Sequence, residues 1–317
     1  MSNITQINSE IQNNSTVINS EISVSQSTVI NAELSNADDL PSGTLLLEKY
    51  SIIEKMSINT GEATLYVCEY NNEKFAAKIY NRENAIKPDV VSALGKIHSK
   101  YVAELIEFGE YNNKPVEIMQ YFKNGSIQGM KFGFNELKNT IIPCINEALN
   151  VLHNVGIIHK DLKPANIMMN DDGKSVALID FGISSFETEG KTVIVTRTGM
   201  TPEYSAPEAY RGLFLEESDY YSFGITIYEL FCGKSPYRGL SAEEIAKYTS
   251  IQRIPFSYDI PDELKDLITA LTYYDITNRK DRNNPNRRWT YKEVKNWCDG
   301  KKQLIPGMGT AADTVKI

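Results

Sequence analysis

Apolar and polar positions alternate in short runs between residues 50 and 122. Five runs rich in β-branched and aromatic residues are separated by Asn, Gly and charged residues: YSIIEKM, TLYVCEY, KFAAKIY, VAELIEFGEY and PVEIMQYF. Runs of this length and composition are typical of strands joined by tight connections. The pattern therefore predicts a mostly antiparallel β-sheet in this part of the chain.

After Gly125 the apolar positions recur with the period of an α-helix. A first stripe contains Leu137, Ile141, Ile145, Leu149 and Leu152, and a second helix is predicted in YYSFGITIYELF. Pro143 lies within the first stripe and predicts a helix start or a kink, because proline has no backbone N–H to donate. The order of elements predicts an α+β, bilobal protein, with a small β-rich lobe over about residues 44–122 and a larger helical lobe over about residues 123–299.

The two ends of the chain differ from this region in composition. Three related phrases, TQINSEI, TVINSEI and TVINAEL, begin at Thr5, Thr16 and Thr28. Their spacing suggests short stacking units or an assembly strand, whereas their polar composition favours a flexible tail. We predict a flexible tail over residues 1–43 and a second one over residues 300–317, which contain three glycines and one proline.

The charge balance restricts the classes of partner. The 317 residues include 41 acidic and 33 basic side chains, which gives a formal net charge of −8. This balance argues against a nucleic-acid partner, which is normally recognised through a basic face. No stretch approaches the roughly 20 apolar residues that cross a bilayer, so we expect no membrane span and a cytoplasmic protein. The four cysteines form no C-x-x-C pair, so neither a metal site built from cysteines nor a disulfide framework is predicted.

Polar motifs with regular spacing occupy the middle of the chain. They are HKDLKPANIMM at 159–169, DFG at 180–182 and TPEYSAPE at 201–208. Upstream, FAAKIY places Lys78 on a predicted strand, and downstream DYYSFG and RRWT contain Asp219 and Arg288. In this order and spacing, residues 50–298 resemble the eukaryotic-like serine/threonine protein kinases. The resemblance implies a bilobal kinase domain over about residues 44–299, with protein substrates and with ATP and Mg²⁺ between the lobes.

The resemblance also implies a role for each polar residue of these motifs. Asp180 and Asn166 would hold Mg²⁺ through oxygen atoms, and Asp161 would orient the substrate hydroxyl and accept its proton. Lys78 would contact the α and β phosphates of ATP. Lys163, two residues after Asp161, stands where Ser/Thr kinases carry a lysine that meets the transferred phosphate. Asp161, Lys163 and Lys78 are therefore the predicted catalytic residues, and Ser and Thr are the predicted acceptors.

The predicted nucleotide site combines strand, hinge and loop residues. Met119 at the end of the fifth apolar run resembles the position before the hinge, where adenine is bound through the main chain. The predicted nucleotide-binding residues are Gly61, Ala76, Lys78, Met119, Gln120, Phe122, Asn166 and Asp180. The loop that covers the phosphates in this family carries several glycines, whereas only Gly61 is present here, in INTGEATL. We therefore expect weaker nucleotide binding, because glycine lets the backbone approach phosphate closely.

Two further pairs follow from the resemblance. Asp89 falls at the position of the helix glutamate that pairs with the strand lysine, and it is one methylene shorter than glutamate. We hypothesise that Asp89 pairs with Lys78, with Glu83 as the rival partner. Glu208 and Arg288 resemble a buried ion pair that braces the segment after the DFG motif, and loss of one partner would leave a buried charge.

The segment after DFG contains the predicted sites of phosphorylation. Thr198 is the first candidate and Thr196 the second, whereas Thr201 resembles a residue that hydrogen-bonds Asp161 and Lys163. The residue before Asp161 is Lys160 in place of the family's arginine. A lysine offers phosphate a point charge and not a bidentate fork, so phosphorylation of this segment is expected to matter less.

Other functions compete with an active kinase. A pseudokinase that serves as a scaffold or binding module would explain the altered glycine loop and Asp89. A small-molecule phosphotransferase shares the H-x-D-x-x-x-x-N segment but generally lacks TPEYSAPE. In the N-terminal tail, Thr16 and Thr28 are hypothetical autophosphorylation sites for recruiting a phosphothreonine reader, and the repeats are a candidate for self-association; an inert tail is the alternative.

Overall fold

An antiparallel sheet forms the N-terminal lobe of the computed structural model, which describes residues 39–60, 63–81, 87–181, 184–186, 201–250, 254–256 and 259–307. Within these residues the sheet has six strands in the order β1-β2-β3-β4-β6-β5, and every neighbouring pair is antiparallel. The strands are β1 Leu45–Leu46, β2 Tyr50–Thr60, β3 Ala63–Tyr70, β4 Glu73–Tyr80, β5 Leu105–Tyr111 and β6 Lys114–Gln120. The predicted sheet is confirmed, with β1 as an additional strand and β5 beginning three residues later than its apolar run.

The two faces of this sheet have different chemistry. Side chains alternate across a strand, so Ala77 and Ile79 of β4 face a buried cluster that also contains Leu46, Tyr66 and Ile118. The intervening residues of β4 point to the opposite face, together with their neighbours on the flanking strands. These residues are Ala76, Lys78 and Tyr80 of β4, Leu65 of β3, and Glu117 and Met119 of β6. This second face of the sheet contributes one wall of the candidate site.

A short helix lies between β4 and β5 in the chain. Helix α1, Pro88–Leu94, has a proline in its first turn, where the missing N–H is not needed. Val90 and Leu94 are buried, and both belong to the core of the helical lobe. Helix α1 therefore packs against the core through Val90 and Leu94 and leaves Asp89 exposed at its first turn.

Helices form the second lobe. They are α2 Phe134–Glu136, α3 Ile142–Asn154, α4 Glu216–Cys232, α5 Ala242–Ser250, α6 Asp262–Leu271 and α7 Tyr291–Cys298. The residues of the predicted apolar stripe are at most 1% exposed. A π-helical segment, Leu137–Ile141, precedes Pro143, and the Ile142 N–H donates to the carbonyl oxygen of Leu137, five residues back. The widened turn next to Pro143 confirms the expectation that the proline marks a helix start or kink.

Two small two-stranded sheets flank the central motifs. Strand β7, Ile157–Ile158, pairs with β10, Ser185–Phe186, and β8, Ile167–Met169, pairs with β9, Val176–Leu178. The backbone N–H of Ala103 donates to the carbonyl oxygen of Leu178 at 2.8 Å, so the chain leading into β5 is bonded to β9. Residues 159–166 therefore run between β7 and β8, and the DFG motif begins just after β9.

Of the helices in the described ranges, none combines the length and the hydropathy that crossing a bilayer requires. Residues 301–307, assigned from the sequence to a flexible tail, lie against the helical lobe. The Trp289 indole N–H donates to the carbonyl oxygen of Leu304 at 3.3 Å, and the Gly307 N–H donates to the Asn286 Oδ1 atom at 3.0 Å. The N-terminal repeats lie outside the described residues, and the domain bounds inferred from the sequence stay predictions.

Candidate active site

A cavity of about 370 Å³ lies between the sheet and the β8–β9 hairpin. Leu65 and Ala76 of the sheet line one side, and Met168 and Ile179 line it from the helical lobe. The predicted residues that line this cavity are Ala76, Lys78, Met119, Gln120, Phe122, Lys163, Asn166 and Asp180. The structure thus brings together residues that are up to 104 positions apart in the chain, whereas Gly61 lies outside the described residues.

The walls of the cavity divide it into an apolar part and a polar part. Aliphatic side chains on both sides would suit a flat, weakly polar ring such as adenine. Lys78, Lys163, Asn166 and Asp180 supply cations and oxygen ligands. Mg²⁺ is commonly held by one or two protein groups together with substrate phosphates and water. The donor set therefore fits a nucleotide triphosphate with Mg²⁺, for which the carboxylate of Asp180 and the amide oxygen of Asn166 are the candidate protein ligands.

Lys78 is bonded across the cavity to the DFG aspartate. The Lys78 Nζ atom lies 2.5 Å from the Asp180 Oδ1 atom, and the lysine is only 4% exposed. The expected pair between Lys78 and Asp89 is wrong in this structure. Asp89 is exposed at the start of α1, where its Oδ1 atom accepts the N–H of Val90 at 3.0 Å. The short helix turns this carboxylate to the surface, and the rival partner Glu83 lies outside the described residues.

Asp161 is the centre of a hydrogen-bond network. The Thr201 hydroxyl donates to Asp161 Oδ1 at 2.8 Å, and the Lys163 Nζ atom donates to the same hydroxyl at 2.8 Å. Lys163 Nζ also lies 2.7 Å from Asp161 Oδ2. The Asn166 side-chain N–H₂ donates to Asp161 Oδ2 at 3.0 Å and to the Asp161 carbonyl oxygen at 2.8 Å. The expected contacts of Thr201 with Asp161 and Lys163 are confirmed, and they fix the direction of the Asp161 carboxylate.

A buried carboxylate in α4 holds the loop before Asp161. The Asp219 oxygens accept the backbone N–H groups of His159 at 2.9 Å and Lys160 at 2.8 Å, and the His153 Nε2 atom lies 2.8 Å away. Burial alone would raise the pKa of Asp219, but the hydrogen bond and positive field of His153 and the other donors bring it below the ordinary value. These bonds hold Lys160 in the left-handed region at φ 73°.

The DFG segment is packed by its aromatic residue. The rings of His159 and Phe181 meet edge to face with centroids 5.5 Å apart. The His159 Nε2 atom is 3.0 Å from the carbonyl oxygen of Ile179. Asp180, which lies between Ile179 and Phe181, has φ 65°, an uncommon value for a residue other than glycine. His159 therefore has the structural position expected from the sequence, and it supports the turn that aims Asp180 at the cavity.

A buried ion pair joins the TPEYSAPE segment to the end of the domain, as expected. The Arg288 Nη1 and Nη2 atoms donate to the two carboxylate oxygens of Glu208 at 2.6 and 3.2 Å. Arg288 also donates to the carbonyl oxygens of Tyr273 at 2.7 Å and Glu217 at 2.8 Å. Arg288 is 1% exposed and Glu208 6%, so the pair is fully enclosed and its hydrogen bonds satisfy both charges.

Glu117 is a buried charged residue near the site that was not expected from the sequence. It is 5% exposed, it stands beside Lys78 in the register of β4 and β6, and its Oε2 atom accepts the Tyr80 hydroxyl at 3.0 Å. The signal in the sequence is one acid within the apolar run PVEIMQYF. Its meaning depends on the register between two strands, which the run alone does not reveal.

We predict that the stability of the folded protein depends on pH through Lys160. The Lys160 Nζ atom has no hydrogen-bond partner among the described residues and lies 4.7 Å from the Phe214 ring centroid. Burial lowers the pKa of Lys160 to about 8, Lys87 adds to this, and Asp219 opposes it. Between pH 8 and the unfolded value of 10.5 the folded chain binds fewer protons, so stability rises with pH.

Lys160→Met should therefore raise the free energy of unfolding at pH 7 by about 1–3 kcal/mol and flatten its rise between pH 8 and 9.5. Urea unfolding at pH 7, 8 and 9.5 measures the free energy of unfolding of both proteins. The control is Lys74→Met, which replaces an exposed lysine. A Lys160→Met protein that is less stable at pH 7 would contradict the assignment of an uncompensated charge.

Comparison with known proteins identifies the family. The model of the protein kinase domain matches residues 59–296. A probable serine/threonine-protein kinase of Clostridium acetobutylicum is 29% identical over 246 residues, which are 72% of this chain and 36% of the relative. A probable serine/threonine-protein kinase of Lactococcus lactis is 27% identical over 256 residues, which are 75% and 40% of the two chains. A dual specificity protein kinase of Dictyostelium discoideum is 28% identical over 245 residues, or 73% of this chain and 18% of the relative.

The chain belongs to the eukaryotic-like protein kinase family. Its β-sheet lobe and helical lobe are those of the bilobal kinase fold, as the sequence predicted. Members of this family generally use ATP and Mg²⁺. The part of this chain that matches these three relatives spans at most 40% of their length.

Proposed function

We propose that this protein transfers the γ-phosphate of ATP to serine and threonine hydroxyls of protein substrates. The network of Asp161, Lys163 and Thr201 carries the proposal, because it aims a carboxylate and a cation into one site next to Asn166. Phosphate transfer needs little covalent chemistry from the protein and depends on positioning and charge. The same five polar residues that the sequence singles out, Lys78, Asp161, Lys163, Asn166 and Asp180, supply both.

In the proposed reaction Asp161 orients the substrate hydroxyl and accepts its proton. The hydroxyl oxygen forms a bond to the γ-phosphorus, the bond from that phosphorus to the β,γ-bridging oxygen breaks, and ADP leaves. Lys163 neutralises charge on the transferred group, and Lys78 binds the α and β phosphates. Bound Mg²⁺ supplies further neutralisation of the phosphate oxygens, with Asp180 and Asn166 as its proposed ligands.

The choice of serine and threonine rests on Lys163 and on the names of two relatives. The Lys163 Nζ atom donates to the Thr201 hydroxyl and pairs with Asp161, and the Lys163 side chain is 23% exposed. The test is to incubate the full chain with labelled ATP, Mg²⁺ and each of three basic peptides. The peptides differ only in the acceptor residue, which is Ser, Thr or Tyr. We expect incorporation into the Ser and Thr peptides and none into the Tyr peptide. Equal labelling of the Tyr peptide would refute the proposed specificity, and labelling of none would favour the scaffold alternative.

Autophosphorylation is part of the same proposal. Thr198 and Thr196 are the proposed sites in the segment after DFG, and Thr16 and Thr28 are those in the N-terminal repeats. All four lie outside the described residues, so the proposal rests on the sequence alone. Mass spectrometry of the protein after incubation with ATP and Mg²⁺ would locate the phosphate, and deletion of residues 1–40 would test the contribution of the repeats to phosphate uptake or self-association.

A further inference from the structure

A buried serine is bonded to the DFG motif and to the loop that carries Asp161. Ser184 lies two residues after the motif and is only 1% exposed. Its hydroxyl donates to the carbonyl oxygen of His159 at 3.1 Å, and its backbone N–H donates to the carbonyl oxygen of Phe181 at 3.0 Å. The side chain of Ser184 therefore connects the segment after Asp180 to the loop that follows β7.

The segment before Asp180 is bonded to the same histidine. The His159 Nδ1 atom accepts the backbone N–H of Asp161 at 3.3 Å, so the ring proton is assigned to Nε2. The Nε2 atom then donates to the carbonyl oxygen of Ile179 at 3.0 Å. His159 thus binds the residue before Asp180 with its ring, and it binds Ser184 with its carbonyl group.

The backbone of Asp180 is in a conformation that needs support from its surroundings. Its φ of 65° lies in the left-handed region, which a residue other than glycine keeps only where the surrounding contacts impose it. The ring of Phe181 packs edge to face on His159, and the backbone N–H of His159 donates to the buried Asp219 of α4 at 2.9 Å. Asp180 is therefore held from both sides by one residue that α4 keeps in place.

We propose that Ser184 is a positioning residue for Asp180, because its hydroxyl bond to His159 keeps the backbone in the conformation that aims the Asp180 carboxylate into the cavity. This inference rests on the proposed function, in which Asp180 is a metal ligand. Loss of the hydroxyl takes a donor away from the buried carbonyl group of His159 and loosens the segment around Asp180. The change stays local, since β10 begins at the next residue and pairs with β7.

The test is the variant Ser184→Ala, which removes the hydroxyl and adds no atom. We expect the dissociation constant of Mg²⁺·ATP, measured by calorimetry on the full chain, to rise about three- to tenfold, the effect of losing one hydrogen bond to a buried acceptor. The affinity for ATP in the presence of EDTA should not fall, because Asp180 is assigned to the metal. The KM for the peptide should stay unchanged. A serine that only stabilises the fold would instead lower the melting temperature and leave both ATP affinities as they are.

Ser235→Ala is the matched control for the loss of a buried hydroxyl. Ser235 is 5% exposed, and its hydroxyl oxygen accepts the backbone N–H of Tyr237 at 3.1 Å, beyond the end of α4. The affinity of this variant for Mg²⁺·ATP should equal that of the wild type. An unchanged affinity in Ser184→Ala, or an equal loss in Ser235→Ala, would overturn the inference.

A double variant tests whether Ser184 acts through Asp180. In a chain that already carries Asp180→Asn, the further change Ser184→Ala should have little effect on Mg²⁺·ATP affinity, because residues that act together are not additive. A full additional loss in the double variant would overturn the inference. Absence of phosphate transfer by the wild-type chain would overturn the proposed function, while calorimetry would still decide whether Ser184 acts on the binding of Mg²⁺·ATP.

Discussion

Replacement of Asp161 by asparagine is expected to lower the rate of phosphate transfer by about 10²–10⁴-fold, the range for loss of a general base. The Asp161 carboxylate accepts hydrogen bonds from Thr201 and Asn166 and lies 2.7 Å from the Lys163 ammonium. Asparagine has nearly the same shape but cannot accept the proton of the substrate hydroxyl. Single-turnover kinetics with a saturating peptide measures the effect on the transfer step.

The control for Asp161→Asn is Asp171→Asn. Asp171 carries a carboxylate that is 60% exposed, with its nearest ion-pair partner Lys123 at 3.7 Å, so its loss should leave the rate within about twofold. The dissociation constant for ATP should be similar in Asp161→Asn and wild type, because Asp161 is assigned to the acceptor and not to the nucleotide. An Asp161→Asn protein that keeps more than a tenth of the wild-type rate would remove Asp161 from the role of base.

Replacement of Arg288 by methionine is expected to lower the free energy of unfolding by about 3–5 kcal/mol, the usual result when one partner of a buried pair is removed. Glu208 would keep a buried charge, and the carbonyl oxygens of Tyr273 and Glu217 would each lose a donor. Urea unfolding at pH 7, followed by fluorescence, measures the change.

Two further variants serve as controls for Arg288→Met. Lys123→Met removes one partner of the exposed pair with Asp171 and should cost less than about 1 kcal/mol. The double variant Arg288→Met with Glu208→Gln removes both buried charges, and it should be more stable than Arg288→Met alone. A loss of under about 1 kcal/mol in Arg288→Met would mean that the enclosed pair does not brace the TPEYSAPE segment.

The candidate site was predictable where its residues lie close together in the sequence. Asp161, Lys163 and Asn166 fall within six residues, and one loop between β7 and β8 presents all three. The strand that carries Lys78 and Ala76 was also predictable, because alternation along β4 decides which residues face the cavity. Local pattern was sufficient for these residues, since the geometry depends on neighbouring positions of one element.

The charged residues around Lys78 were not predictable by the same means. Counting positions placed Asp89 at a helix site, but α1 is only seven residues long and Asp89 in its first turn is exposed. Glu117 lies 39 positions after Lys78, and the two stand opposite each other only because β4 and β6 are neighbours in a particular register. Register between distant strands depends on packing of the whole sheet, which a single apolar run does not encode.

The π-helical turn before Pro143 illustrates an intermediate case. Proline within an apolar stripe predicted a start or a kink, because a backbone hydrogen bond is lost there. The form that the structure takes, a widened turn over Leu137–Ile141 followed by α3, keeps the stripe facing the core on both sides of the proline. The sequence thus located the irregularity, and the packing of the stripe determined its geometry.

The central claim is that residues of this cleft transfer phosphate from ATP. The most direct test is to incubate the purified chain with γ-labelled ATP, Mg²⁺ and a generic basic protein substrate. The variant Asp180→Ala is treated in the same way as the control. Asp180 stands opposite Lys78 in the cavity and is the proposed metal ligand. The account predicts label in the substrate with the wild-type chain and a loss of that label with Asp180→Ala. Label that is equal in the two samples, or absent from both, would contradict it.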